Sequence, residues 1–234
     1  MKAVILAAGK GTRMRPLTNT IPKPLVSLAG KPLLSYTLAA LPKDITEVIM
    51  VIGYLGAHLQ RYCGTRLEGR TFHYIVQHEP LGTARALEIC KPYLSEHEPF
   101  LVMYADDLYR KEDLMLLLKT ASDLHNLGGA GAMLVKEVKN PRAFGVVTID
   151  KTMRILDLVE KPEHPISNLA NIGVYVLDHR IFDYQAPPHP LNGEHYLTDC
   201  IKQLARDHLV KAVPASFWLP IASPEDIKNA ENLF

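Results

Sequence analysis

The chain has 234 residues, enough for one large α/β domain with a full core. Lys and Arg number 26 against 25 Asp and Glu, and the formal net charge of +1 excludes the strongly basic footprint of a general nucleic-acid binder. Cys63, Cys90 and Cys200 lie far apart with no metal-ligand spacing, and no apolar run approaches the ~20 residues of a membrane span.

The first predicted element is a buried strand, Ala3–Ala8. This apolar start is too short for the core of a secretory signal, because it runs straight into glycine and charge. Together with the cysteine usage this predicts a soluble, cytoplasmic protein. The strand ends in Gly9-Lys10-Gly11, where missing side chains let the backbone approach a ligand. Lys10, Arg13, Arg15 and Lys23 follow with no acid among them. Cations beside free backbone N–H groups are what a triphosphate needs. Two familiar phosphate loops do not fit. The dinucleotide fingerprint needs a third glycine and a helix, but Met14 and Pro16 stand there. The P-loop needs Gly-Lys-Ser/Thr after four spacers, which Gly9 does not lead to. Pro16, Pro22 and Pro24 predict a long irregular loop instead of a helix.

Strands and helices then alternate. Val48–Ile52, Phe72–Val76, Phe100–Tyr104 and Ala130–Val135 read as strands, and Leu55–Tyr62, Thr83–Cys90 and Lys111–Leu124 as helices. The alternation predicts a mostly parallel sheet with helices on both faces. Ligands then sit beyond the carboxyl ends of the strands, where the Gly9 loop, Gln77–Gly82 and Asp106-Asp107 all fall. The second half is less regular. Phe144–Ile149 and Ile155–Val159 read as paired strands around Asp150-Lys151, and Asn171–Leu177 as another strand. Ala186–Pro190 reads as loop, Tyr196–Asp207 as a helix opened near Thr198, and Pro224–Leu233 as a last helix capped by Ser223. No linker is apparent, so a single domain over 1–234 is expected, with a change of role near Pro141. Phe234 is expected to close the chain at the last helix, with no appended domain.

Three further stretches carry chemistry. Gln77 offers a donor and an acceptor suited to a base edge, and Gly82 lets a ring lie against the backbone. The acids Asp106 and Asp107 directly follow a buried strand, which suits Mg²⁺ bridging phosphates; for Asp107 alone a turn cap is the expectation. Glu160-Lys161 and Asn171 pair a carboxylate and an amide with a cation, as a sugar and its phosphate require. None of the ten histidines stands at metal-ligand spacing, and His58, His73 and His78 are expected at the surface. Trp218 is expected in the core or a pocket wall.

Gly9-x-Gly11-Thr12-Arg13, Pro16-Leu17-Thr18 and Pro22-Lys23-Pro24 stand in the order and spacing of the signature of sugar-1-phosphate nucleotidylyltransferases. The chain resembles that family from Lys2 to the last helix. The resemblance implies a Rossmann-like α/β fold whose mixed, mostly parallel sheet is flanked by helices. It implies nucleotidyl transfer from an NTP, UTP or dTTP first, to a sugar 1-phosphate, with Mg²⁺ as cofactor. Residues 1–140 would form the nucleotide half and 141–234 the sugar half. Leu6, Ala8, Gly9, Gly11, Thr12 and Arg13 would hold the nucleotide together with Gln77, Gly82, Thr83 and Asp106. Tyr104, Gly145, Glu160, Lys161 and Asn171 would hold the sugar phosphate. Arg13 would face the leaving pyrophosphate, Lys23 the α-phosphate, Lys161 the nucleophile phosphate and Asp106 the metal. The implied partners are the two substrates, with no nucleic acid and no membrane; homo-oligomer formation stays open. The family usually has Gly where Ala105 stands, and Asp or Asn as a second metal ligand where Pro220 stands. Tyr196-Leu-Thr-Asp199 also matches a family stretch and reads as mainly structural. A mannose-1-phosphate guanylyltransferase, a phospho-alcohol cytidylyltransferase and a non-catalytic regulatory subunit on the same fold are the alternative readings.

Overall fold

Apolar runs alternating with helical stretches fold into one mixed α/β sheet in a computed structural model that describes residues 1–190 and 192–233. The strands are β1 (Lys2–Ala7), β2 (Ser27–Leu28), β3 (Lys31–Pro32), β4 (Glu47–Ile52), β5 (Arg66–Leu67), β6 (Arg70–Val76) and β7 (Phe100–Tyr104). They continue with β8 (Leu108–Tyr109), β9 (Gly131–Glu137), β10 (Gly145–Ile149), β11 (Ile155–Glu160), β12 (Leu169–Leu177), β13 (Val210–Pro214) and β14 (Trp218–Leu219). The helices are α1 (Leu33–Ala40), α2 (Gly56–Cys63), α3 (Thr83–Glu88), α4 (Lys111–His125), α5 (Leu197–Asp207) and α6 (Pro224–Glu231).

The fold class expected from the sequence is borne out, and the sheet has ten strands. Its parallel part runs β7-β1-β4-β6. The antiparallel part begins where β12 pairs with β7, then continues through β10 to β11 and through β9. Side chains of β1 alternate across the sheet. Ala3, Ile5 and Ala7 pack with Leu34 and Leu38 of α1 and Leu114 of α4. Val4 and Leu6 face α3 and α5, where Ala86, Leu197 and Ile201 lie. Both faces are therefore covered, as an apolar central strand requires. A third, smaller cluster joins Met14, Val26, Leu28 and Leu33 to Ile221 and Ile227 and fastens α6 beneath the glycine loop.

Besides the two-residue strands β2, β3, β5, β8 and β14, helix α1 and strand β13 escaped the sequence reading. Helix α1 carries apolar side chains on most sides, with Leu33, Leu34, Thr37, Leu38 and Ala40 buried, so it shows no one-sided period. Strand β13 joins the sheet by parallel pairing with β9. The expected prolines do exclude an α-helix after the glycines: three short 3₁₀ turns, Thr12–Met14, Leu17–Asn19 and Lys23–Leu25, take its place. Phe234 lies outside the described residues. No described helix is long and apolar enough to cross a membrane.

Candidate active site

Because β1, β4, β6 and β7 run in parallel, their carboxyl ends lie on one edge. That edge opens into a cleft of about 640 Å³. Leu6, Ala8, Gly9, Gly11, Thr12 and Arg13 line it from the end of β1, with Lys23 beside them. Gln77, Gly82 and Thr83 come from the end of β6, and Tyr104 and Asp106 from the end of β7. Every residue expected at the nucleotide thus borders one space.

The glycine loop is held open by its own packing. Gly11 has a φ of +58°, and a Cβ there would come 3.0 Å from Cβ of Lys23. The buried Thr18 hydroxyl donates to Gly11 O at 2.8 Å, which fixes the loop from beneath. Lys10 and Arg13 stand exposed on the cleft wall. Lys23 does not: its ammonium is ion-paired with Asp106 Oδ2. No acid stands near these cations in sequence, and the partner of Lys23 lies 83 positions away and arrives only through β1–β7 pairing. Burial pulls the Lys23 pKa down, but the carboxylates of Asp106 and Asp107 more than reverse this, and the net shift is upward. Lys23 therefore stays charged.

Gln77 Nε2 donates to Gly82 O at 3.1 Å. Gly82 has a φ of +97°, and a Cβ there would lie 2.5 Å from His195 O and 2.6 Å from His195 N. A second segment is therefore pressed onto the Gln77–Gly82 loop. His195 N donates to Leu81 O, Ala84 N donates to His195 O, and Leu197 N donates to Thr83 Oγ1. Asn192 and Glu194 of this segment also line the cleft. Sequence reading passed over them; the turn signal of Asn192-Gly193 was the only local trace.

Gly145, Glu160, Lys161 and Asn171 gather beside the cleft. In the register, Gly145 pairs with Glu160 and Val146 with Ala170. A Cβ on Gly145 would meet Glu160 Oε2 at 3.2 Å and Asn171 Nδ2 at 3.4 Å. Lys161 Nζ lies 3.2 Å from Glu160 Oε1 and 4.8 Å from the centre of the Tyr196 ring. Thr198 Oγ1 donates to Glu160 Oε2 at 2.7 Å. The Tyr196–Asp199 stretch, read as mainly structural, thus supplies two side chains to this cluster, and Thr198 serves Glu160 while Tyr196 takes the helix N-cap position. Asn171 is used twice within the fold, accepting from Gly173 N at 3.0 Å and donating to the Tyr175 hydroxyl at 2.7 Å. Tyr104 bridges the two regions. Val174 pairs with Met103, which sets Gly173 (φ +76°) against the Tyr104 ring. Burial, then Tyr175 and Glu160, push the Tyr104 pKa well above the ordinary phenol value, so its hydroxyl is neutral.

Asp107 is more than the turn cap expected of it. It is buried, accepting from Trp218 Nε1 at 3.1 Å and from Ile221 N at 3.2 Å. Burial and then the neighbouring Asp106 push its pKa up to about 7. Trp218, edge-on to Phe144 at 5.0 Å, is a half-buried wall between Asp107 and the Gly145 strand. Asp113 accepts from Ser216 N, Ser216 Oγ and Phe217 N, so two carboxylates pin the segment that carries Pro220. Asp226 is spent on Ala222 N and Ser223, and Glu225 is exposed on α6. Among the described residues no three His, Cys, Asp or Glu side chains are grouped to hold a metal. Asp106 is the carboxylate at the glycine-loop end of the cleft. That donor set fits Mg²⁺ arriving with phosphates, since Mg²⁺ keeps several waters and needs one or two protein carboxylates.

The family model described as nucleotidyl transferase matches residues 2–233. The chain belongs to this nucleotidyl transferase family. As a nucleotidyl transferase it is 35% identical over 232 residues to the bifunctional protein GlmU of Methanocaldococcus jannaschii, covering 98% of this chain and 53% of the relative. It is 37% identical over 207 residues to a glucose-1-phosphate thymidylyltransferase of Streptomyces antibioticus, covering 87% of this chain and 57% of the relative. The chain thus spans about half the length of these curated relatives. A crystal structure of UDP-glucose pyrophosphorylase complexed with UDP-glucose superposes with a TM-score of 0.85 at 28% identity, over 99% of this chain and 97% of the other.

Proposed function

We propose that this nucleotidyl transferase moves a nucleotidyl group from an NTP to a sugar 1-phosphate, releasing pyrophosphate. The observation that carries the reading is the junction at Tyr104. There a cleft lined by a cationic glycine loop meets the Glu160–Lys161–Asn171 cluster. In the reaction a phosphate oxygen of the sugar phosphate attacks the α-phosphorus. The bond from the α-phosphorus to the bridging oxygen breaks, and pyrophosphate leaves with the bond's electron pair. No covalent enzyme intermediate is needed, so catalysis is positioning and charge stabilisation. Arg13 and Lys10 face the leaving phosphates, Lys23 the α-phosphate, and Lys161 the attacking phosphate. Glu160 and Asn171 receive sugar hydroxyls over the floor left by Gly145. A Mg²⁺ held by Asp106 would polarise the phosphate oxygens.

The base reading favours UTP or dTTP. Gln77 Nε2 gives one of its two N–H groups to Gly82 O, which leaves the other N–H and the carbonyl oxygen to meet a base. That donor and acceptor suit the imide N–H and adjacent carbonyl of uracil or thymine. The named relatives, a thymidylyltransferase and an enzyme holding UDP-glucose, point the same way. The setting proposed is cytoplasmic. Pyrophosphate release measured over a panel of four NTPs and several sugar 1-phosphates tests the reading. Release with UTP or dTTP is expected. Preference for GTP would overturn the base reading, and no release with any pair would overturn the activity.

A further inference from the structure

The phosphate end of the cleft already contains a cation, and the chain supplies it. Lys23 Nζ sits on Asp106 Oδ2, with the lysine side chain 13% exposed. Its stem leaves a 3₁₀ turn, Lys23–Leu25, and is backed by Gly11, where a Cβ would have only 3.0 Å of room. Behind the pair lies Asp107, whose oxygens are taken by Trp218 and Ile221. Asp106 is therefore the carboxylate here that lines the cleft, and its Oδ2 carries the ammonium.

We propose that Lys23 is a placeholder cation that keeps a divalent metal off Asp106 until a triphosphate enters. The proposal rests on the NTP reading given above. A metal ion bound to Oδ2 would stand against the lysine ammonium, and like charges in a partly buried site repel strongly. Metal alone on Oδ2 must displace the ammonium and leave it without a partner, and metal on the other carboxylate oxygen stands beside the same charge. A triphosphate changes the balance. Its oxygens accept the ammonium, which swings on a flexible four-carbon stem, and they also complete the metal's oxygen shell. Lys10 and Arg13 remain available to the other phosphates. Metal and nucleotide then bind with positive coupling, and by linkage each strengthens the other equally. Pro220 strengthens the device, since it adds no second carboxylate that could hold metal by itself.

Mn²⁺ is a direct probe, because its solution spin-resonance signal collapses on binding. With wild type, Mn²⁺ alone should bind weakly, and a non-hydrolysable UTP analogue should tighten it well beyond the analogue's own affinity for the ion. Lys23→Met should bind Mn²⁺ alone about 10- to 100-fold tighter than wild type, the worth of one charge-assisted hydrogen bond. Lys23→Gln provides the same reading if methionine packs poorly, and Lys23→Arg should keep the metal out. Adding Asp106→Asn to Lys23→Met should erase the gain. The proposal is overturned if neither neutral variant binds Mn²⁺ more tightly, or if wild type binds the UTP analogue and yet binds Mn²⁺ as well without it as with it. A gain in Lys23→Met, with no binding of the UTP analogue to wild type, supports the placeholder and overturns the nucleotide reading.

Discussion

Gly82 and Gly173 each bring two chain segments closer than any side chain allows. A Cβ at Gly173 would lie 2.3 Å from the Tyr104 ring, and φ is already +76°. Gly173→Ala should therefore cost about 1–3 kcal/mol of stability, readable in urea unfolding, and should displace Tyr104. Gly82→Ala should be worse for the nucleotide than for the fold. Its Cβ would push His195 away and move the Gln77 acceptor, so the KM for NTP should rise more than that for sugar phosphate. Equal rises in both would count against it. Arg13 makes no hydrogen bond or ion pair among the described residues, and under the proposed function its charge is free for the transition state. Arg13→Ala should lower kcat by about 10²–10³ with little change in KM. Near-normal turnover would remove Arg13 from the mechanism.

At the scale of elements, α6 is held by local chemistry and by a small core. Ser223 and Asp226 form a reciprocal capping box, with Pro224 in the first turn. Asp226 also accepts from Ala222 N at 2.8 Å. Ser223→Ala should cost about 1 kcal/mol in thermal unfolding. Glu225, exposed one position earlier, makes a control: Glu225→Ala should leave the unfolding midpoint unchanged. A loss in both variants would mean that net charge at the helix start matters more than the cap. The segment before α5 has a different task. Through His195 and Leu197 it is bonded to Leu81, Thr83 and Ala84, and through Tyr196 and Thr198 it reaches Lys161 and Glu160. The proposed division into halves near residue 140 is thus crossed by this segment.

Over the whole molecule, the two covered faces of the sheet leave the thiols deep inside. Cys63, Cys90 and Cys200 are all buried. Burial pushes the Cys63 and Cys90 thiols up to about 12 and Cys200 up to about 11. At pH 8 each therefore has less thiolate than an ordinary cysteine, and the thiolate is the reactive form. Native protein treated with iodoacetamide at pH 8 should stay unmodified by mass, while denatured protein should take up one group per cysteine. Rapid native labelling would show that one of the two helical layers opens readily.

How far the chain could be understood without its fold follows from the range of each interaction. Strand β1, the glycine loop and the prolines after it are local patterns, and together with the strand and helix runs after them they led to the order of the main elements and to the one edge on which the cleft opens. The motifs at Gln77, Asp106 and Glu160 stood at strand ends, so parallel pairing was enough to gather the first two beside Gly9. The α6 cap was legible because its partners lie three residues apart. What the tertiary structure alone decided are contacts between residues far apart in sequence. The ion pair of Lys23 with Asp106, the grip of Asp107 on Trp218, and the bond from Thr198 to Glu160 have no local signature. Helix α1 was hidden for a related reason: it is apolar on most sides, and periodicity reveals a helix only when one face meets water. The sequence thus placed the charged groups on one edge, and the sheet register determined which of them are already paired.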